Sequence, residues 1–183
     1  MKVAIFIDGS NLYSKLKGLG IKATSEFYYF RFANYLVKDS KIIYVGYYVG
    51  QVHVEKNNPR SEELYSNQQK FFHHLVTQIP NVEIVRGHIQ NYNGIYKEKG
   101  VDVRLALDIY KFANQNFYDR AIVVSSDSDL LPAIRMAQTE GKEVEYIGFS
   151  NSSSIAMLRE CKCKRLLSYE DLKPFEKINS VSI

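Results

Sequence analysis

Cysteine is almost absent from this 183-residue chain, which carries only Cys161 and Cys163, one residue apart. That count and spacing exclude a disulfide framework and a zinc knuckle, so both are expected to be reduced thiols without a functional role. No apolar run approaches the roughly 20 residues that cross a bilayer. The opening MKVAIFIDGSNLY turns polar too early for a signal peptide and has no small-residue cleavage site. No membrane association is expected, and the expected location is cytoplasmic. His53, His73, His74 and His88 show neither an HExxH pattern nor Cys/His ligand spacing. There is no GxxxxGK(S/T) phosphate loop, no GxGxxG after the first strand and no GxSxG elbow, which removes the commonest NTPase, dinucleotide and hydrolase chemistries. No internal repeat, low-complexity tract or Pro/Gly linker divides the chain. One domain over residues 1–175 with a short tail over 176–183 is therefore expected.

What is present is ample core material: 45% of residues are hydrophobic and 24% charged, with 14 Tyr and 10 Phe. That composition matches an ordinary globular domain and argues against disorder. The net charge of +4 is compatible with an anionic partner but far from a histone-like basic signature.

Five segments rich in β-branched and aromatic residues are predicted strands: Val3 to Ile7, Ile42 to Val49, Val82 to Ile89, Ala121 to Ser125 and Val144 to Gly148. Several are apolar throughout, the pattern of parallel strands covered on both faces. Helical spacing predicts helices over Tyr28 to Lys38, Ser61 to Gln78, Val101 to Asn114 and Leu130 to Glu140, the third with Leu105, Ile109 and Phe112 as its stripe. A short capped helix follows within Asn151 to Lys162, and Arg165 to Leu167 adds a last strand. Gln51 to Arg60 and Asn91 to Gly100 are predicted surface loops. Alternating strands and helices imply right-handed crossovers and a three-layer, doubly wound α/β domain with a mostly parallel sheet and helices on both faces.

In such sheets ligands bind beyond the carboxyl ends of the strands. The first strand ends in Ile7-Asp8-Gly9-Ser10-Asn11, the fourth in Ser125-Ser126-Asp127-Ser128-Asp129, and Asp102 opens the helix after the third strand. At about 100° per residue Asp102 shares a helix face with Ala106 and Ile109, so it is expected to point inward at the top of the sheet. Asp108, six residues on, ranks below it. Each aspartate alone is explained as a cap or turn residue, and Asp129 suits an N-cap that leaves Pro132 in the first turn. All four together are not, because like charges over one pocket repel unless a cation neutralises them. Oxygen ligands without His or Cys favour a hard ion, Mg²⁺ or Mn²⁺.

The fragments IDGSN, KGVDVRLALD and SSDSDLLPAI, in that order on those elements, resemble the NYN domain, the LabA-like branch of the PIN-like nucleases, over about Met1 to Phe149. The resemblance implies a PIN-like sheet of order 3-2-1-4-5 with the switch point between Asp8 and Asp127. By the same resemblance Asp8, Asp102, Asp127 and Asp129 are the acidic metal-site residues. Asn11 is their polar partner and Ser125 the small hydroxyl residue before the acidic pair. It further implies one or two divalent ions, cleavage of RNA and products with a 5′-phosphate and a 3′-hydroxyl.

The expected activity is thus that of a divalent-metal-dependent endoribonuclease acting on single-stranded RNA. Asp8, Asp102 and Asp127 hold the ion, Asp129 assists directly or through water, and Asn11 orients a ligand or the scissile phosphate. Lys99, Arg104 and Arg86 are expected to hold substrate, with Tyr92 and Tyr96 as stacking platforms for unpaired bases. Each also has an ordinary surface reading. A second hypothesis is an RNA-binding or regulatory module with a vestigial site, using Arg159, Lys162, Lys164 and Arg165 in RECKCKR, a run that equally suits a solvated helix end. A third, a small-molecule phosphohydrolase of the haloacid type, is disfavoured because Ser10 stands where that chemistry needs a second Asp. A homodimer is compatible with the sequence, and no motif calls for one.

Overall fold

A computed structural model describes residues 1–22, 26–92 and 95–177, with the side chains of 88–98 excepted. The chain runs β1 (Lys2–Asp8), α1 (Gly9–Gly18), α2 (Tyr29–Val37), β2 (Lys41–Val49), α3 (Pro59–Gln78), β3 (Val82–Arg86), β4 (His88–Tyr92), β5 (Ile95–Lys99), α4 (Val101–Asn114) and β6 (Arg120–Val124). A 3₁₀ turn (Ser128–Leu130) leads into α5 (Leu131–Thr139), β7 (Glu143–Phe149), α6 (Ile155–Glu160), β8 (Cys163–Leu167), α7 (Tyr169–Leu172) and a last 3₁₀ turn, Lys173–Phe175.

Six strands form one sheet in the order β3-β2-β1-β6-β7-β8. Every pairing in it is parallel. The five predicted strands keep the expected order, and β8 adds a sixth at the edge. The order reverses between β1 and β6, so a crevice opens beyond their carboxyl ends.

Alternation along β1 divides the core in two. Val3, Ile5 and Ile7 face a cluster with Leu12 and Leu16 of α1, Phe32 and Leu36 of α2, Leu75 of α3 and Leu172 of α7. Ala4 and Phe6 face Leu105 and Ile109 of α4, Ile134 of α5 and Met157 of α6 on the opposite side. Burying side chains of this size contributes roughly 1.5–3 kcal/mol each. Covering both faces is what makes the strands read as continuous apolar runs rather than alternating ones.

Three departures from the sequence reading have local causes. Helix α1 was not predicted: its sequence GSNLYSKLKG is polar with a glycine at each end, and only Leu12 and Leu16 reach the core. The predicted third strand stops at Arg86, and most of the predicted loop Asn91 to Gly100 instead falls in the two strands of a separate antiparallel hairpin, β4 and β5, in which His88 faces Lys99 and Tyr92 faces Ile95. At the other end, Phe175 packs on Phe27, Phe32 and Tyr35. Glu176 bridges to Phe27, and the Lys177 N–H donates to the Glu26 carbonyl at 2.6 Å. The segment to Lys177 is therefore fastened to the domain, and the rest of the expected tail, 178–183, lies outside the described residues. Among the described residues no helix is long and apolar enough to cross a membrane.

Candidate active site

The sheet edge is organised around one buried carboxylate. Asp8, the last residue of β1, is 6% exposed and caps α1. Its Oδ1 accepts from the Asn11 N–H at 2.9 Å, and its Oδ2 accepts from the Ser125 hydroxyl at 2.9 Å. Ser125, fully buried after β6, accepts in turn from the Asp127 N–H at 3.1 Å. One hydroxyl thus ties the ends of the two neighbouring strands together. A second clasp runs alongside, where the Asn11 Oδ1 accepts from the Ser126 N–H at 3.2 Å, leaving the Asn11 amide NH₂ as a donor for other partners.

Local sequence explains this arrangement. A Cβ on Gly9 would lie 2.5 Å from the Tyr47 ring, so only glycine lets α1 start against β2. After β6 the chain turns through Asp127, whose Oδ1 accepts from the Asp129 N–H at 2.9 Å and caps the 3₁₀ turn. The cap is therefore Asp127 and not Asp129, because a 3₁₀ turn comes first and α5 begins one residue later than expected, at Leu131, with Pro132 in its first turn. Asp129 is left exposed with its carboxylate free of capping duty.

Asp102 sits in the first turn of α4 behind Gly100, whose φ of 85° gives the left-handed turn that glycine tolerates best. Its expected inward orientation is corrected: Asp102 is exposed, and the sheet-facing residues are Val101, Leu105, Asp108, Ile109 and Ala113. The stripe of Leu105, Ile109 and Phe112 brackets Asp108, so the helix is turned by about one residue from the face assumed for Asp102. Asp108, 2% exposed, accepts from the Tyr48 hydroxyl at 3.1 Å and from the Arg104 Nε at 2.8 Å. It is a buried structural carboxylate held between the buried Tyr48 and the exposed Arg104.

Asp8 and Asp102 both feel the charges of the neighbouring aspartates. Burial raises the Asp8 carboxyl above its ordinary pKa, the Asn11 and Ser125 hydrogen bonds pull it back, and the charges of Asp102 and Asp127 push it up again. Asp102 is raised as well, by partial burial and then by Asp127 and Asp129. Asp108 does not contribute to either shift.

The donor set fits a hard divalent ion by its chemistry, being all oxygen and mutually repelling without a cation. Asp8 retains lone pairs beyond the two used in hydrogen bonds. Its geometry is more open than the sequence suggests: among the described residues no three His, Cys, Asp or Glu side chains stand close enough to hold a metal ion. Asp8 is clamped, whereas Asp102 and Asp129 are exposed side chains.

The expected substrate-holding residues are dispersed. Lys99 is exposed at the end of β5, three residues before Asp102. Arg104 is engaged by Asp108 at 2.8 Å, and the Arg86 guanidinium lies over the Phe72 ring, 5.0 Å from its centroid. Tyr92 and Tyr96 fall outside the residues whose side chains are described. The RECKCKR cluster does not form one basic face. Arg165 pairs with Glu145 and donates to the Leu36 carbonyl on the α2 side, while Lys164 donates to the Leu158 carbonyl of α6. Successive strand residues point to opposite faces, which is what splits the run.

A cavity of about 680 Å³ that no sequence pattern announced lies beside the first turn of α1, lined by Gly9, Ser10, Tyr13, Tyr47 and residues of α3. Its walls come from three separate elements, and the individual aromatics read as core.

Comparison with known proteins agrees with this fold. A crystal structure of a protein of unknown function from Vibrio parahaemolyticus has a TM-score of 0.67 to this chain at 23% identity, covering 91% of this chain and 92% of that one. At that identity the likeness is one of fold. No curated protein matches the chain. The family model of the NYN domain, a nuclease-like family, matches residues 2–167, from the first residue of β1 to the last of β8. The chain belongs to the NYN domain family.

Proposed function

We propose that the chain is a divalent-metal-dependent ribonuclease of the LabA-like branch, hydrolysing phosphodiesters of single-stranded RNA at the β1/β6 switch point. The observation that carries this reading is that Asp8, Asp102 and Asp127 arrive from three different elements close enough for the charges of Asp102 and Asp127 to raise Asp8 and for Asp127 to raise Asp102. A binding surface gains nothing from carboxylates that repel one another, whereas a cation site needs them.

Asp8, Asp102 and Asp127 would hold Mg²⁺ or Mn²⁺, with Asp129 beside them. Such an ion, when bound, lowers the pKa of water and screens charge growing on phosphate oxygens. The protein's own contribution is positional. Ser125 and the α1 N-terminus fix Asp8, and the free NH₂ of Asn11 offers a donor to a phosphate oxygen. Lys99 supplies an exposed positive charge near the acidic turn for the RNA backbone. Hydrolysis breaks the bond between phosphorus and the 3′-oxygen, leaving a 5′-phosphate and a 3′-hydroxyl.

The test incubates purified protein with end-labelled single-stranded RNA in Mn²⁺ or Mg²⁺, beside EDTA, Asp8→Asn and Asp127→Asn. Cleavage by the wild type alone is expected, with a loss of at least about 100-fold in either variant, as for groups that hold a reacting centre. Equal cleavage by wild type and variants would remove these residues from the site. RNA binding without cleavage would favour the binding-module reading.

A further inference from the structure

The cavity beside α1 has the size, lining and position of a ligand site. Its volume of about 680 Å³ lies within the roughly 300–1,000 Å³ of small-molecule sites, which are mainly apolar with a few polar groups. Tyr47 and Phe72 are nearly buried walls, each 3% exposed, whereas Tyr13 is 49% exposed at the mouth. Phe71 links the walls, 5.6 Å from the Tyr47 ring and 6.1 Å from the Phe72 ring between centroids.

The rim is polar and cationic. Gln68 holds the chain after β2 in place as a wall, its Nε2 donating to the Gly50 carbonyl at 2.8 Å and its Oε1 accepting from the Val52 N–H at 2.8 Å. Asn67 and Lys70 also line the cavity and are exposed. Arg86 lies over the Phe72 ring, outside the residues that line the cavity.

Location gives the cavity its meaning. Gly9 follows Asp8 directly and rests on the Tyr47 ring, so the aromatic wall begins one residue from the buried carboxylate. A flat aromatic group bearing a polyanionic backbone matches both parts, its ring between Tyr13 and the inner aromatics and its phosphates between Lys70 and the acidic edge. Every base has a π-face, so such a slot tolerates any base but requires it to be unpaired.

We infer that the cavity is a nucleobase slot, taking one unpaired base of the RNA adjacent to the phosphodiester presented to Asp8, Asp102 and Asp127. This rests on the nuclease reading and adds to it the source of single-strand selectivity. Duplex RNA, its bases stacked in the helix, has nothing to insert.

The experiment measures binding and cleavage separately. Anisotropy of a fluorescein-labelled single-stranded RNA oligonucleotide is titrated in EDTA with wild type, Tyr13→Ala, Tyr13→Phe and Lys70→Glu. The same protein is then titrated with the matching duplex and with an oligonucleotide of the same length made of abasic residues. Tyr13 and Lys70 are surface residues, so these variants are expected to keep the wild-type circular dichroism and melting temperature. Expected is roughly ten-fold weaker binding for Tyr13→Ala, as for loss of one stacking platform, with affinity retained in Tyr13→Phe. Lys70→Glu weakens binding as well. Abasic and duplex probes bind wild type and Tyr13→Ala alike. Equal affinity of wild type and Tyr13→Ala for the single strand, or duplex binding as tight as single-strand binding, would overturn the slot. Cleavage in Mn²⁺ distinguishes this failure from that of the nuclease reading. Wild-type cleavage with an unchanged KM in Tyr13→Ala sinks the slot alone, and base-dependent binding without any cleavage sinks the nuclease alone.

Discussion

Replacing Ser125 by alanine tests the organisation of the acidic edge without reference to catalysis. The hydroxyl is fully buried, donates to the Asp8 Oδ2 at 2.9 Å and accepts from the Asp127 N–H at 3.1 Å. A hydrogen bond to a charged group is worth about 1.5–3 kcal/mol, and a buried N–H deprived of its acceptor costs about 1 kcal/mol or more. Allowing for partial relaxation, Ser125→Ala is expected to destabilise the fold by about 2–4 kcal/mol near neutral pH. That corresponds to a melting temperature lower by about 4–15 °C for a chain of this size.

The pH dependence carries more information than the magnitude. The Asp8 carboxyl is raised in the folded state, so the folded protein holds its proton to higher pH than the unfolded chain does. Stability therefore falls as pH rises from the unfolded carboxylate pKa through the folded one, and stays lowered above it. The Ser125 hydroxyl is one of two interactions that restrain this rise, so its removal lifts the folded pKa further. The cost of Ser125→Ala should be smallest in acid, where Asp8 is protonated in both states, and reach its full value once folded Asp8 ionises. Urea unfolding followed by circular dichroism, at acid and neutral pH with an unchanged m-value, reads the difference directly. A cost below about 0.5 kcal/mol at neutral pH, within the range of ordinary surface substitutions, would refute the link that Ser125 makes between the two strand ends. So would the same cost at both pH values.

The same repulsion predicts that Mg²⁺ or Mn²⁺ raises the thermal stability more at neutral than at acid pH, because protonated Asp8 and Asp102 bind a cation poorly. The gain should approach about 2.7 kcal/mol at an ion concentration one hundred times the Kd and be largely lost in Asp127→Asn. An equal rise in that variant would place the ion elsewhere. Asp108→Ala should cost about 1–3 kcal/mol, since it strips the Tyr48 hydroxyl and Arg104 of their acceptor, yet leave ion-dependent stabilisation and RNA cleavage intact. A folded Asp108→Ala protein without cleavage would move this residue into the site.

Much of this organisation is written in the chain itself. Apolar strands alternating with amphipathic helices imply a sheet covered on both faces, and Asp8, Asp102, Asp127 and Asp129 stand where strand and helix ends must fall. Local patterning suffices for that because burial acts on each segment's own periodicity. Periodicity failed where tertiary contacts outweigh it. Helix α1 is polar and exists because Asp8 caps it and Tyr47 receives Gly9, and the hairpin of β4 and β5 pairs segments too polar to announce themselves as strands.

Rotation of α4 by about one residue from the expected face leaves Asp102 exposed at the acidic edge and buries Asp108, a difference that spacing alone resolves only when the whole stripe is used. The sequence by itself determined the fold class, the strand order through its family motifs and which aspartates stand at the strand and helix ends. Tertiary structure alone decided that Ser125 couples two strands, that Asp108 belongs to the core, and that Tyr13, Tyr47, Phe71 and Phe72 enclose a cavity beside Asp8. Those facts depend on contacts between residues far apart in the chain, and such contacts leave no period in the sequence.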